Sequence, residues 1–232
     1  MSPLNPLFTL AYLRAILVAL PPLVVIFLHS TINIMSVRAM GLTKQAKVLS
    51  KRQVSIMVAH LDRTRYPIRN KVIFLLSIKA GLRAKEIAQL TWAMVTDAEG
   101  NLASTISLRN SASKGKKGGR VIPIHPDLKT ALKALYNGPD GSEMVITSER
   151  SNTVSATVIV NLFATWYKDL GFRGCSSHSG RRTFITNTAR QISTVGGSLR
   201  DIQILAGHAA LSTTQRYIDE NAEAQRRVVN LL

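Results

Sequence analysis

The 232-residue sequence predicts an α+β fold that is mainly helical and carries a small antiparallel three-stranded sheet. Apolar residues at helical spacing, followed by glycine, recur along the chain, which is typical of amphipathic helices with glycine C-caps. Two segments near the middle instead alternate apolar and β-branched residues, which indicates strands. Hydrophobic residues make up 46% of the chain, enough to bury a sizeable core.

The charge balance indicates a polyanionic partner. Lysine and arginine total 30 residues against 13 acidic ones, which gives a formal net charge of +17. Nucleic acid is the first partner that such an excess indicates, and an acidic membrane surface is the second. A solvated basic surface without a partner is the third interpretation.

The chain has a single cysteine, Cys175. One cysteine excludes an intrachain disulfide framework and a cysteine-rich zinc site, and it fits the reducing cytosol. We therefore expect a cytoplasmic location. Cys175 itself is interpreted as a small buried hydrophobic residue rather than a nucleophile.

Residues 1–39 form an apolar N-terminal segment that differs from the rest of the chain. Within it, residues 7–28 carry a single charge, Arg14. The apolar run is short for a spanning helix, which needs about 20 residues, and two prolines interrupt it. The segment is a membrane- or partner-binding segment, an arm packed on the domain, or sequence upstream of the true start. Residues 40–232 are predicted to form the folded domain.

The first predicted helix follows Ser50, whose side chain can cap it, and carries apolar residues at helical spacing. Asn70 is predicted to cap a second helix, and Gly81 is predicted to end it as a C′ glycine. A short third helix is predicted to open at Arg83, with Glu86 inside it.

Two strands are predicted over residues 102–108 and 119–125, where apolar and β-branched residues alternate. Pro123 lacks a backbone N–H, so the second of these strands is expected at an edge of the sheet. Residues 144–147 are predicted to form a short third strand.

The loop between the first two strands is basic and contains glycines that allow close backbone approach. Its cations are Arg109, Lys114, Lys116, Lys117 and Arg120, and no acidic residue interrupts them. A solvated edge hairpin would use one or two lysines to block aggregation. The larger cluster instead indicates a loop that faces phosphate groups.

The second half of the chain is predicted to be helical. Helices are predicted from Pro126, over 155–170, over 178–190, and from Ser198 to Gly207. Ser212-Thr-Thr-Gln215 has the pattern of a capping box. This pattern would place Tyr217 in the second turn of one more helix.

Four side chains near the end of the chain occur at intervals that core packing does not explain. They are His178, Arg181, His208 and Tyr217. The i, i+3 spacing of the first two puts them on one face at the start of a helix. Two imidazoles, a guanidinium and a phenol make chemical sense together if they converge on one phosphate.

These residues resemble the catalytic domain of the tyrosine recombinases, the phage-integrase family of DNA breaking and rejoining enzymes. Residues 80–90 are similar to the family's first box, in which the arginine, here Arg83, is catalytic. His178-Ser-Gly-Arg181 matches the His-x-x-Arg box. Residues 205–217 match the last box, with the same step from histidine to tyrosine.

The resemblance covers residues 44–220 and places the family's hairpin lysine at Lys114, with Lys116 and Lys117 as rivals. Gly180 and Arg182 stand where the family often has leucine and histidine. We expect these two departures to alter local packing and to spare the catalytic positions. The family's usual N-terminal core-binding domain is missing from the sequence, which bears on site specificity rather than on the chemistry.

The resemblance implies a site-specific recombinase or integrase, of the kind carried by phages and other mobile genetic elements. It would cleave and rejoin DNA through a 3′-phosphotyrosyl intermediate at Tyr217, without metal, ATP or another cofactor. Arg83 and Arg181 would stabilise negative charge on the phosphate, because a guanidinium donates in a planar fork and stays charged.

The remaining catalytic positions would move protons or donate hydrogen bonds. The resemblance assigns His178 as base or proton shuttle for the tyrosine, and His208 as a donor to a non-bridging oxygen. Lys114 would protonate the leaving 5′ oxygen. Glu86 is interpreted as a structural partner that orients a catalytic cation.

The implied partner is double-stranded DNA, and we expect a homodimer or homotetramer to assemble on it, with no membrane partner. The predicted DNA contacts are Arg109, Lys116, Lys117, Arg120 and Arg182. The first four of these lie in or beside the basic hairpin loop, which would track the phosphate backbone.

Two other functions fit parts of the sequence. A decayed integrase that binds DNA without cleaving it, as a regulatory or architectural protein, would explain the missing core-binding domain. Such a protein would have no need of all six catalytic positions. A membrane-associated protein would depend on residues 7–28.

Overall fold

The computed structural model describes residues 45–109, 119–138 and 143–217, together with Arg226, Val229 and Asn230. The predictions made for residues 1–39 and for the hairpin tip lie outside these residues. Within the described part of the chain, no helix is long and apolar enough to cross a membrane.

The described elements confirm a mainly helical α+β fold. In chain order they are α1 Lys51–Leu61, α2 Pro67–Lys79, α3 Ala84–Ala88, β1 Thr105–Leu108, β2 Arg120–Pro123, α4 Pro126–Leu135, α5 Ala156–Asp169, α6 Ser179–Gln191, α7 Leu199–Ala206 and α8 Leu211–Gln215. Short 3₁₀ turns cover Trp92–Met94 and Ile192–Val195.

The predicted cap of α1 is confirmed. Ser50 Oγ accepts a hydrogen bond from the backbone N–H of Gln53 at 3.2 Å, and Gln53 Oε1 accepts one from the backbone N–H of Ser50 at 2.9 Å. This reciprocal pair satisfies two N–H groups that the first helical turn cannot pair itself. The preceding residue, Leu49, donates its N–H to Thr183 Oγ1 of α6 at 2.8 Å.

α2 begins at Pro67, so the prediction that Asn70 caps this helix is wrong. Proline at the first helical position has a preset φ angle and no N–H to satisfy, which favours a start there. Asn70 is instead 4% exposed, and its Nδ2 donates to Thr64 Oγ1 at 3.0 Å. The amide therefore holds the preceding turn against the helix.

α2 lies at the centre of the core. All residues from Val72 to Ile78 are buried, so the helix is covered on all sides rather than along one stripe. α4 and α6 pack against it, while α3 packs against α5. As predicted, Gly81 turns the chain after α2, with φ of 66°. A Cβ at Gly81 would lie 2.5 Å from the Phe184 ring, so this glycine also lets α6 approach.

The sheet of the described residues has two strands, β1 and β2, so the prediction of a third strand is wrong. Residues 144–147 make one isolated antiparallel bridge, between Met144 and Thr91. The N–H of Val145 donates to the carbonyl of Leu90 at 2.9 Å. This segment therefore pairs with the chain after α3 and leaves the hairpin as a separate two-stranded unit.

Side chains alternate along both strands, as the two-residue strand period requires. In β1, Ile106 and Leu108 are buried. In β2, Arg120 and Ile122 are buried, whereas Val121 is 56% exposed. The buried face of the hairpin thus includes one arginine.

The C-terminal helices build a second, smaller core. Ile185 of α6 packs with Ile202 and Ala206 of α7, and Tyr217 packs partly buried against them. The predicted end of α7 is confirmed, because Gly207 has φ of 61°. The second core therefore holds the tyrosine against α6 and α7.

The helix before Tyr217 begins and ends earlier than predicted. Ala210 has the extended backbone of an N-cap residue, so Ser212 lies inside α8 and does not cap it. Tyr217 lies after the end of α8, in a turn closed by a hydrogen bond from its N–H to the carbonyl of Thr214 at 3.0 Å. The predicted position of Tyr217 in a second helical turn is therefore wrong.

The close packing around Gly180 explains one departure from the family pattern, the glycine at a position where the family often has leucine. It lies at the start of α6, where this helix crosses α2. A Cβ at Gly180 would lie 2.9 Å from Ser77 Cβ and closer still to Ser77 Oγ. Ser77 is fully buried, and its hydroxyl has no hydrogen-bond partner among the described residues. The two helices are therefore too close for a larger residue.

We predict that Gly180→Ala lowers the free energy of unfolding by about 1–3 kcal/mol, because the added methyl group overpacks the crossing. Ser77→Ala removes the closest atom and should recover part of this loss in the double variant. Ser77→Ala alone should change stability little, since its hydroxyl makes no hydrogen bond. Urea unfolding of the four proteins measures the coupling, and additive effects would contradict the proposed contact.

Candidate active site

A buried carboxylate organises the cations at one end of the core. Glu86 is 1% exposed and lies in α3, at the third position after Arg83. Its Oε2 accepts from the backbone N–H of Arg83 at 2.8 Å, and its Oε1 accepts from Arg83 Nη1 at 2.8 Å. These contacts agree with the predicted role of Glu86, which is to orient a cation.

Arg120 is the second partner of Glu86, and this corrects its predicted place among the DNA contacts. Its side chain is 3% exposed. Nη1 and Nη2 each donate to one oxygen of the Glu86 carboxylate at 2.9 Å, which is a planar bidentate pair. Because strand alternation turns Arg120 inward, its guanidinium holds Glu86 instead of facing solvent.

The surroundings keep Glu86 ionised. Burial alone would raise the pKa of Glu86, but the hydrogen bonds and charge of Arg120, followed by those of Arg83, lower the pKa to about 2. The carboxylate is therefore negative throughout the neutral and mildly acidic range. It balances one of the two guanidinium charges that it contacts.

Arg181 is held by the backbone ends of two helices. Its Nη1 donates to the carbonyl of Gly81, after α2, at 2.5 Å, and its Nη2 donates to the carbonyl of Ala206, at the end of α7, at 2.6 Å. Carbonyls at helix C-termini lack partners within the helix and carry partial negative charge. A guanidinium has five N–H donors, so these two contacts do not exhaust it.

Burial, followed by the charge of Arg83, lowers the pKa of Arg181. The lowered pKa is about 9, so the Arg181 guanidinium remains cationic at neutral pH. Arg181 is 3% exposed, and the charges of Glu86 and Arg120 also act on its pKa. Ala206, whose carbonyl Arg181 binds, belongs to the small core against which Tyr217 packs, so Arg181 and Tyr217 lie on the same part of the fold.

His208 follows Gly207 and lies against the same cluster. It is 8% exposed, and its Nδ1 is 2.9 Å from Thr214 Oγ1. Burial lowers the pKa of His208 to about 4, and the charges of Arg181, Arg83 and Arg120 act in the same direction. The imidazole is therefore neutral at pH 7.

Tyr217 stacks on His208. The two ring centroids are 5.3 Å apart, with 23° between the ring planes. The Tyr217 carbonyl accepts from Thr186 Oγ1 at 3.0 Å, and the Arg182 guanidinium carbon lies 5.9 Å from the centroid of the phenol ring. Contacts to the backbone and to the ring thus define where the phenol lies.

Two other predicted positions, His178 and Arg109, are exposed. His178 is exposed at the N-terminus of α6, three residues before Arg181, where the predicted spacing puts it. Arg109 is exposed at the end of β1. Lys114, Lys116 and Lys117 lie outside the described residues, so the choice among the three lysines stays a prediction.

Thr214 and Arg120 are the site residues whose roles the sequence did not reveal. Arg120 could have been recognised as inward-facing, since it alternates with Val121 and shares the side of Ile122. Thr214 carried no comparable signal, because its contact with His208 depends on how the chain turns after α7. Cys175 packs against the main core as a hydrophobic residue but is only half-buried, less than predicted.

The arrangement can bind an anion beside a phenol. Arg83, Arg120 and Arg181 bring three guanidinium groups around one carboxylate, so positive charge is in excess. A neutral histidine next to them can donate or accept a hydrogen bond. In the described ranges, no group of three or more histidine, cysteine, aspartate or glutamate side chains could hold a metal ion.

Comparison with known sequences matches most of the chain to one family. The model of the phage integrase family matches residues 47–224. Tyrosine recombinase XerA of Thermococcus onnurineus is 33% identical over 185 residues, which are 78% of this chain and 61% of that protein. Tyrosine recombinase XerC of Pelobacter propionicus is 30% identical over 169 residues, which are 70% of this chain and 51% of that protein.

Solved structures share the fold. The crystal structure of XerA recombinase matches with a TM-score of 0.62 at 23% identity, over 79% of this chain and 64% of that one. A lambda integrase dimer bound to a COC′ core site matches with a TM-score of 0.58 at 19% identity, over 75% of this chain and 48% of that one. The chain spans about three fifths of the length of the XerA relative from Thermococcus onnurineus.

We predict that Glu86→Gln lowers the free energy of unfolding by about 3–5 kcal/mol, because it leaves the buried Arg120 charge unpaired. The double variant Glu86→Gln/Arg120→Met should recover much of the loss, since the buried charge is gone. Glu149→Gln is the matched control, because it breaks an exposed ion pair with Arg65 and should cost less than about 1 kcal/mol. Equal losses in Glu86→Gln and Glu149→Gln would contradict the role of burial.

The low pKa of His208 predicts a pH dependence of stability. An unperturbed histidine has a pKa of about 6.5, and folding lowers that of His208 to about 4. Between these values the unfolded chain binds a proton that the folded chain does not, so stability falls as pH drops from about 6.5. The full loss is on the order of 3 kcal/mol, at about 1.4 kcal/mol per pKa unit.

Denaturant unfolding at a series of pH values measures this slope. His208→Gln should remove most of it, whereas the control His178→Gln, which changes an exposed histidine, should keep it. An unchanged slope in His208→Gln would show that another group is responsible.

Proposed function

The chain belongs to the phage integrase family, and we propose that it is a tyrosine-type DNA strand transferase, a site-specific recombinase or integrase. The observation that carries this proposal is the stack of Tyr217 on His208 beside the Arg83–Arg181 cluster. The site follows the order of the family's boxes along the chain. The proposal also includes a cytoplasmic location.

In the proposed reaction, Tyr217 attacks a DNA phosphodiester and forms a 3′-phosphotyrosyl bond, and the 5′ oxygen leaves. The reverse attack by a 5′-hydroxyl rejoins the strands. The covalent bond to tyrosine retains the energy of the phosphodiester, so the reaction needs no ATP. The proposal includes no metal, because Arg83 and Arg181 supply the positive charge at the phosphate. The half-buried position of Tyr217 against α6 and α7 supports this role, because it fixes the approach of the phenol.

Arg83 and Arg181 stabilise the charge that develops on the non-bridging oxygens. The fixed contacts of both guanidinium groups support this role, because donors that are already oriented need no rearrangement during the reaction. One such donor is typically worth about 3–4 kcal/mol of transition-state stabilisation. His208 adds a hydrogen bond to the same phosphate.

Two groups move protons in the proposal. His178 acts as base or shuttle for the phenol, and its exposed position at the start of α6 leaves it accessible to DNA. One of the hairpin lysines, with Lys114 first, protonates the leaving 5′ oxygen. An ammonium on a long side chain suits this task, since its pKa responds to a nearby phosphate.

The proposed partner is double-stranded DNA, which the overall charge of +17 favours. Arg109, Lys116, Lys117 and Arg182 remain the proposed contacts, and Arg120 is excluded because its guanidinium is buried against Glu86. The proposal includes assembly of two or four copies on DNA. Solved relatives of this fold include a lambda integrase dimer and a XerH recombinase bound to DNA, which supports this part.

We predict that the wild-type chain forms a covalent protein–DNA adduct on a nicked suicide duplex. The DNA site is first selected from a random duplex library by binding to Tyr217→Phe, so that selection does not require cleavage. Tyr217→Phe should bind that duplex with wild-type affinity and form no adduct that survives denaturing electrophoresis. The physical reason is that only the phenol oxygen can form the bond to phosphorus.

Tyr136→Phe is the matched control. Tyr136 is a half-buried tyrosine whose hydroxyl donates to the carbonyl of Gly100 at 3.0 Å, at a separate place in the fold. The Tyr136→Phe variant should form the adduct at the wild-type rate. Wild-type binding without any adduct would instead favour a DNA-binding protein that has lost catalysis.

A further inference from the structure

The backbone of His208 is fixed by one buried neighbour. The His208 N–H donates to the carbonyl of Gln203 at 3.1 Å, and Gln203 Nε2 donates to the carbonyl of His208 at 3.0 Å. Gln203 lies on α7 and is 6% exposed. The backbone of His208 is therefore held in place, and only its side-chain torsions remain to be fixed by other contacts.

Two contacts set the imidazole ring. One is the stack on Tyr217, and the other is the 2.9 Å contact between Nδ1 and Thr214 Oγ1. Thr214 is fully buried, so its hydroxyl cannot exchange this partner for bulk water. Among the described residues, the contact with Thr214 is the only hydrogen bond of the ring.

A neutral imidazole carries one N–H, and the partner of one nitrogen decides where that proton lies. Burial and three nearby guanidinium groups keep His208 neutral, as described above. If Nδ1 accepts from Thr214, the proton lies on Nε2 and the ring can donate there. If Nδ1 donates to Thr214, Nε2 has a lone pair and would repel a phosphate oxygen.

The direction of the hydrogen bond between Thr214 and His208 depends on whether the Thr214 hydroxyl already donates its proton elsewhere in the helix. A threonine in a helix can donate to the carbonyl four residues earlier, here that of Ala210, and would then accept from Nδ1. No bond between Thr214 Oγ1 and that carbonyl occurs in the structure, whose described residues include both. The hydroxyl proton is therefore available to Nδ1.

We propose that Thr214 is a positioning residue that donates its hydroxyl proton to Nδ1 of His208 and thereby holds the Nε2–H tautomer, so that His208 can donate to a phosphate oxygen. This inference rests on the proposed DNA strand transfer, in which His208 donates to the phosphate. In this role the Thr214 side chain acts through the histidine ring, to which its hydroxyl is hydrogen-bonded.

Thr214 also fixes the nucleophile, but through its backbone. Its carbonyl accepts from the N–H of Tyr217 at 3.0 Å. Thr214→Val keeps this backbone bond and nearly the same side-chain volume, and it removes only the hydroxyl. The variant therefore separates the tautomer of His208 from the placement of Tyr217.

The test is ¹⁵N NMR of the histidine side chains in the folded, DNA-free chain at pH 7.5. The chain has five histidines, and the spectrum of His208→Gln identifies the signals of His208. The wild-type spectrum should show His208 protonated at Nε2. Thr214→Val should move part or all of the proton to Nδ1, and Thr214→Ser should restore the wild-type tautomer.

The same variants are then compared in adduct formation on the nicked duplex. Thr214→Val should slow the single-turnover rate on the order of 10- to 100-fold, as expected when a catalytic histidine loses its orienting partner. DNA affinity should not change, and Thr214→Ser should recover most of the rate. Thr188→Val is the matched control, because Thr188 Oγ1 donates to the Phe184 carbonyl at 2.8 Å on α6, and neither measurement should change.

A wild-type His208 protonated at Nδ1, or a Thr214→Val spectrum identical to wild type, overturns the role of Thr214. If Thr214→Val does not fold, Thr214→Ala removes the same hydroxyl and is judged by the same spectrum. A wild-type chain that forms no adduct overturns the proposed function instead, and the tautomer still decides whether Thr214 holds the histidine.

Discussion

The site depends first on the ion pairs of Glu86. This single buried carboxylate accepts hydrogen bonds from Arg83 and Arg120, so two like charges share one partner instead of repelling each other. Arg83 comes from the start of α3 and Arg120 from the base of the hairpin. The carboxylate therefore joins two parts of the chain whose relative position strand transfer would require, because the hairpin also carries the candidate lysines.

Helix ends supply the rest of the framework. Arg181 binds the carbonyls that follow α2 and end α7, where helical backbones leave acceptors unpaired. Gly207 ends α7 with a positive φ angle, and a Cβ there would lie 2.7 Å from Arg120 Nη1. The same glycine thus permits both the turn into His208 and the close approach of Arg120. One residue, Gly207, therefore serves both the backbone turn and the placement of the Arg120 charge.

Most of the helical fold could be predicted from the sequence because its signals are local. Ser50 caps α1, Gly81 follows α2 and Gly207 ends α7, since capping and left-handed turns depend on a few neighbouring residues. The errors arose where several local signals compete. α2 begins at Pro67, three residues before the predicted cap Asn70. α8 begins after Ala210, which has the extended backbone of an N-cap residue, so Ser212 lies within the helix.

The predicted third strand failed for a different reason. Residues 144–147 have a strand-like composition, but composition does not state which backbone groups are available for pairing. Their partner is the chain at Leu90 and Thr91, and they do not join the hairpin. Pairing between distant segments is decided by the packing of whole elements, which a local pattern does not contain.

The sequence by itself determined the family boxes, the order of their residues and the basic character of the chain. Only the tertiary structure decided which cations are exposed and which are buried in ion pairs inside the protein. Arg120 looked like its neighbours in the basic hairpin, yet burial beside Glu86 makes it an internal partner. Tyr217 and His208 were expected to converge, but their stacking and the hydroxyl of Thr214 beside the ring are three-dimensional facts. Charge and residue spacing can be read from the sequence. Burial and hydrogen-bond partners depend on which distant segments pack together, so only the tertiary structure shows them.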